Sequence, residues 1–219
     1  MKKEIKLFAF VGIFIFSIFV PCLSANAYIN QQSSFAIVTH SEKQILQQEY
    51  KKMENMTEDE LQKQIHNTKN ISEERGIYTK YELKLAWLAA AKIAEMKGYP
   101  LAAQLVKNSV YGEDYNERDG KFADAIKETS LYNKMLSHKG FCQKHRFTRS
   151  LNGDLFFAIN KFKHYTYYNR NDMYIFDTFD FAADYKYDNV FVSIVNNWAF
   201  LNQNMHVLNP IKVGIEITN

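Results

Sequence analysis

Cysteine is nearly absent from this chain. Its 219 residues include two, Cys22 and Cys142, and Cys22 falls in a leading stretch that is expected to be removed. One remaining cysteine excludes an intramolecular disulfide, so packing must hold the fold together. No Cys-His family signature surrounds Cys142, which reads as an inert, half-buried thiol rather than a nucleophile. An excess of one charge is missing too. The chain is formally +3, and three lysines and one glutamate in the first 27 residues leave about +1 for the rest. Such a balance gives no electrostatic reason to expect nucleic acid or an acidic membrane surface as partner.

The motifs of common chemistries are also lacking. There is no GxSxG, no P-loop and no dinucleotide fingerprint. Six histidines occur, His40, His66, His138, His145, His164 and His206, without HExxH or zinc-finger spacing. Neither a metal nor an organic cofactor is therefore expected. No helical pair is repeated and no cell-wall anchor motif occurs, which excludes a solenoid and speaks against a purely structural surface protein.

What is present starts with an export pattern. Lys2, Lys3 and Lys6 precede an apolar run from Leu7 to Leu23, and Ala25-Asn26-Ala27 supplies the small-x-small site of a signal peptidase. The run is long enough to span a membrane, but Pro21 and the cleavage site close it and no basic stop-transfer cluster follows. A lipoprotein reading on Cys22 fails because Pro21 sits where a small residue is needed. Residues 1–27 are thus expected to be a signal peptide, the product a secreted bacterial protein without a transmembrane segment after cleavage.

Residues 28–75 read as a polar lead and a solvated helix. Thr57 and Glu60 have capping-box spacing, predicting a helix from Glu58 with a thin apolar face of Leu61 and Ile65. Residues 76–219 read as a single α+β domain. Its helical part, 76–140, opens with a second capping box at Thr79 and Glu82. Wide apolar stripes follow through Leu83, Trp87 and Ala90 and through Leu85, Leu88 and Ile93. Gly98 and Pro100 predict a tight turn into a second helix, an αα-hairpin. A third helix is expected over 121–138, with Phe122, Ala125, Ile126, Leu131 and Leu136 inward. The "HKGFCQKHRFTR" stretch reads as a basic loop.

Near residue 150 aromatic residues crowd in and alternation replaces helical spacing. "GDLFFAINKFKHYTYYN" and "DMYIFDTFDF" predict two strands joined at "NRND". Val190, Ile194, Trp198 and Leu201 predict a helix. "PIKVGIEIT" predicts a closing strand with Ile211, Val213, Ile215 and Ile217 on one face. The part from 150 to 219 is therefore expected to be β-β-α-β, giving an α+β architecture in all.

Asp177 and Asp180 stand out within the second strand. Strand residues three apart point to opposite faces, so a shared acid site requires a bulge. The plainer expectation makes Asp180 a strand-end hydrogen-bond acceptor and Asp177 a buried carboxylate paired from the basic segment 144–149.

Two resemblances attach to these residues. Gly98 to Leu105, Gly153 to Ile159, Asp177 to Phe181, Asn196-Asn197 and Pro210 to Ile217 together resemble small secreted or toxin-associated C-terminal domains of Gram-positive bacteria. That likeness implies binding at the cell envelope or a part in bacterial competition, with a protein or cell-envelope component, or an immunity protein, as partner. More distantly, "Asp-Thr-Phe-Asp" is similar to the Asp-x-Tyr-Asp element of colicin M-type toxins, α+β hydrolases of lipid-linked peptidoglycan precursors. That likeness implies a catalytic Asp177 and Asp180 helped by Arg146 or His206. Phe179 stands where that family has tyrosine, and no His-Arg pair follows Asp180.

Overall fold

The computed structural model describes residues 38–65, 80–180, 202 and 206–218, the side chains of 141–143 apart. The chain divides into two compact units, Met1–Ala90 with Phe181–Asn209, and Ala91–Asp180 with Pro210–Asn219.

In the first unit, helix α1 covers His40–Met53, and the Thr39 hydroxyl accepts from the Glu42 N–H at its start. Leu46, Tyr50 and Met53 recur at helical spacing and are buried. A helical run over 58–65 follows, begun by the capping box read from the sequence. The Glu60 carboxylate accepts from the Thr57 N–H at 2.7 Å, and the Thr57 hydroxyl accepts from the Glu60 N–H at 3.3 Å. Leu61 is fully buried, so this run is anchored more firmly than its thin apolar face suggested.

Helix α2, Lys80–Met96, passes from the first unit into the second. Trp87 is buried on it as its stripe predicts. Gly98 ends this segment in the left-handed region, at φ 89°, where a side chain is disfavoured. Pro100 then opens helix α3, Pro100–Tyr111, at its first position. The two helices are joined by the expected tight turn at Gly98 and Pro100. Trp198, the predicted 190–201 helix, Thr79 and the Cys142 thiol lie outside the described residues and side chains.

The second unit holds a five-stranded sheet in the order β1-β5-β4-β3-β2. Its strands are β1 Tyr115–Arg118, β2 Gly140–Arg146, β3 Lys161–Thr166, β4 Met173–Phe179 and β5 Ile211–Ile217. Among the described strands, the β1–β5 pair is parallel and the other three pairs are antiparallel. With the helices this is an α+β fold. The β3–β4 hairpin and the alternating strand β5 match the reading of the sequence, and Ile211, Val213, Ile215 and Ile217 are all buried.

Three expectations change. The aromatic run from Gly153 is not strand at its start but helix α6, Gly153–Ala158, because the Asn152 side chain caps it by accepting from the Leu155 N–H at 3.0 Å. The expected third helix is two, α4 Lys121–Lys127 and α5 Ser130–Ser137. Thr129 breaks it, its hydroxyl donating to the Ile126 carbonyl at 2.8 Å. The break resets the helical phase, so Tyr132 and Met135 are buried in place of Leu131 and Leu136. Lastly, the basic "loop" is strand β2.

Carboxylates tie these pieces together. Asp114 accepts from the Lys212 N–H at 2.7 Å, and Asp119 from the Thr218 N–H at 2.8 Å, clamping both ends of the four-residue β1 to β5. Glu117 accepts from the Ala123 N–H at 2.9 Å at the start of α4. Asp154 on α6 accepts from the Leu101 and Ala102 N–H groups, each at 2.9 Å, at the start of α3. Each uses a negative group to satisfy exposed backbone donors.

Candidate functional site

Strand β4 alternates as its sequence demands. Met173, Ile175, Asp177 and Phe179 share one face, opposite Ile217, Ile215, Val213 and Ile211 of β5. Helices α4 and α5 pack on strands β5 and β3 respectively. Asp177 is therefore a carboxylate in an aliphatic row. Burial is the main cause that pushes its carboxyl up, from an ordinary 3.8 to about 7. A hydrogen bond from the Thr178 N–H works against this, and the carboxyl of Asp180 adds to it.

Strict alternation would send Asp180 to the opposite face. The strand ends at Phe179, however, so alternation no longer governs the next residue. Asp180 comes near enough for its charge to act on Asp177, and burial raises its own carboxyl above the usual range. The two acids are thus electrostatically linked without a bulge within β4.

Arg146 ends on the other side of the sheet. It pairs in register with exposed Lys161, whereas its neighbour His145 pairs with buried Phe162. Its guanidinium donates to Asn160 at 3.2 Å. Among the described residues Asp177 has no cation from segment 144–149 beside it; its donor is the Thr178 backbone. His206 belongs to the first unit, at φ 56°, in a turn where the Asn202 carbonyl accepts from Val207 and Leu208 at 2.9 and 3.3 Å.

The sheet brings together a pair that sequence reasoning missed. His145 of β2 and His164 of β3 turn to the same face as Asp177, with ring centroids 4.7 Å apart. The Nε2 of His145 is enclosed with no hydrogen-bond partner among the described residues. Burial first, and then the charge of His164, lowers the His145 pKa below its ordinary value. The alternation Phe162, His164, Thr166 was readable, but pairing it with His145 required β2 to be recognised as a strand.

The opposite face carries aromatic rings. Tyr174 crosses Gly214, where a Cβ would collide with the tyrosine hydroxyl and press on Asn116 Oδ1 at 2.6 Å. Only glycine lets the ring lie on the sheet there. Phe176 stacks beside it at 6.2 Å and 24°, and Tyr174 keeps 36% of its surface exposed.

Among the described residues no group of three or more His, Cys, Asp or Glu side chains is arranged to hold a metal ion. No described helix is long and apolar enough to cross a membrane. No protein-family model, curated protein or solved structure matches the chain. Chemically, the arrangement offers one carboxyl poised to gain or lose a proton near neutral pH, and an aromatic sheet face.

Proposed function

We propose that this is an exported bacterial protein that acts by binding at the cell envelope or in bacterial competition. The observation that carries this reading is Tyr174, laid over Gly214 beside Phe176 with its ring partly open to solvent. Rigid aromatic side chains on a flat, preformed surface give contact area at a small loss of side-chain freedom. The export pattern, Lys2 to Ala27, supports the location. In competition the protein partner would be an immunity protein, and a small membrane protein encoded beside this one is then expected to neutralise it. Mass spectrometry of secreted material tests the location: the mature chain should begin at Tyr28. Full-length chain recovered only in membranes would contradict it.

The linked Asp177 and Asp180 favour a second reading, a hydrolase of lipid-linked peptidoglycan precursors of the colicin M type. A carboxyl with a midpoint near 7 suits general acid or base work at neutral pH. On this reading Asp180→Asn abolishes precursor hydrolysis while leaving the melting temperature nearly unchanged. Precursor left intact by the wild-type protein excludes it.

A further inference from the structure

We propose that the outer face of the sheet docks an anionic wall polymer, a chain of phosphodiester-linked sugar or polyol units. Lysines of β2 and β3 meet its phosphates, and rings of β4 take the carbon skeleton between them. This rests on the envelope-binding reading above and names the component bound.

The register of the strands puts like charges side by side. Lys144 of β2 lies directly opposite Lys163 of β3, and Arg146 lies opposite Lys161. All four are exposed. Like charges placed directly across a ladder destabilise it. A charged edge strand guards against edge-to-edge pairing, and that need accounts for Lys144 and Arg146. It does not account for Lys163, whose strand is paired on both sides. Among the described strand residues the outer face carries one acid, Glu216, which lies two strands away from β3 and is met by Arg118 at 3.9 Å. The near-neutral composition hides this basic face, because register rather than composition collects the cations.

Aromatic rings lie next to the lysines. Phe176 of β4 is in register with Lys163, and Tyr174 with Tyr165. Tyr174 lies over Gly214 and keeps 36% of its surface exposed, a rigid apolar platform beside the charges. Lys212, exposed on β5, adds a further cation to the same face, in register with Thr178. From β2 to β5 the face runs across about 14 Å, room for more than one phosphate. Lysine meets phosphate as a point charge, without the fixed fork of arginine, which suits a flexible chain. Bases of single-stranded nucleic acid also stack on such rings. Export, on the reading above, brings the chain to wall polymers instead.

Cosedimentation of the purified protein with Gram-positive cell walls, native or stripped of phosphodiester-linked polymers by cold hydrofluoric acid, tests this. Native walls should bind, about tenfold more weakly at 200 mM than at 50 mM salt, and stripping should weaken binding by about tenfold or more. Lys163→Glu turns the repulsive pair with Lys144 into an attractive one. Its melting temperature should hold or rise while its wall affinity falls by about tenfold. Lys51→Glu, the same charge change on α1, should bind as the wild type does. Stripped walls that bind as tightly as native ones would overturn the proposal and leave envelope binding standing. Failure to bind walls or membranes at all would overturn both. The proposal also falls if Lys163→Glu keeps wild-type affinity, or if single-stranded DNA or phosphatidylglycerol vesicles bind more tightly than native walls.

Discussion

Lys84 donates to Glu42 at 2.5 Å with only 4% of its side chain exposed. The ammonium of α2 is enclosed by protein, and the carboxylate in the first turn of α1 is its counter-charge. Removing one partner of such a pair leaves an uncompensated charge in a poor solvent. Glu42→Gln should therefore destabilise the fold by ~2–4 kcal/mol, while Lys84→Met should be close to neutral. Urea unfolding of both variants and of the double variant measures the coupling.

Asp154 makes a second long-range tie, from α6 to the first turn of α3. Asp154→Ala leaves the Leu101 and Ala102 N–H groups without their acceptor and should cost ~1–2 kcal/mol. Asp154→Asn keeps an acceptor oxygen. Because burial holds this carboxyl above its ordinary range, loss of its charge removes a desolvation penalty as well. The asparagine variant should thus lose far less than the alanine one, as thermal unfolding at pH 7 will show.

Asp177 predicts an unusual pH dependence. Its folded-state pKa of about 7 lies above the ordinary 3.8, so the folded chain binds the extra proton between these values. Its contribution is most favourable below pH 3.8 and is lost as pH rises through about 7. Asp177→Asn should consequently raise stability by on the order of 2 kcal/mol at pH 8 and change little at pH 3.5. His145 acts in the opposite sense. Its pKa is lowered, so its contribution is intact above 6.5 and is lost as pH falls below that value. Denaturant titrations of wild type and Asp177→Asn across pH separate the two.

Much of this behaviour was readable in the residues. The alternation of β4 and β5, the Thr57–Glu60 box and the Gly98-Pro100 turn are local signals that the fold obeys. The edges of the sheet were not readable. Tyr115-Asn116-Glu117-Arg118 has no apolar pattern and is extended because Asp114 and Asp119 clamp it to β5. Strand β2 is polar and charged, as edges often are, and so resembled a loop. The aromatic run at Gly153 carried a strand's composition, but the Asn152 cap decided for helix. At the site, the place of Asp177 on the inward face, half-buried, followed from alternation. Its link to Asp180 did not, because where β4 stops is set by its pairing with Ile211.

Gly214→Ala is the least invasive way to disturb the aromatic face. The added methyl meets the Tyr174 hydroxyl and must lift the ring from the sheet. Ring displacement should increase the exposure of Tyr174 and weaken any binding that uses this face. Overpacking of this kind also costs ~1–3 kcal/mol of stability, which unfolding experiments check alongside.

Cosedimentation of the purified protein with bacterial cell envelopes tests the binding account most directly. Saturable cosedimentation is predicted, weakened by about tenfold in Tyr174→Ala, as expected when a partly buried aromatic contact is removed. Wild-type protein that stays in the supernatant at every envelope concentration would contradict it.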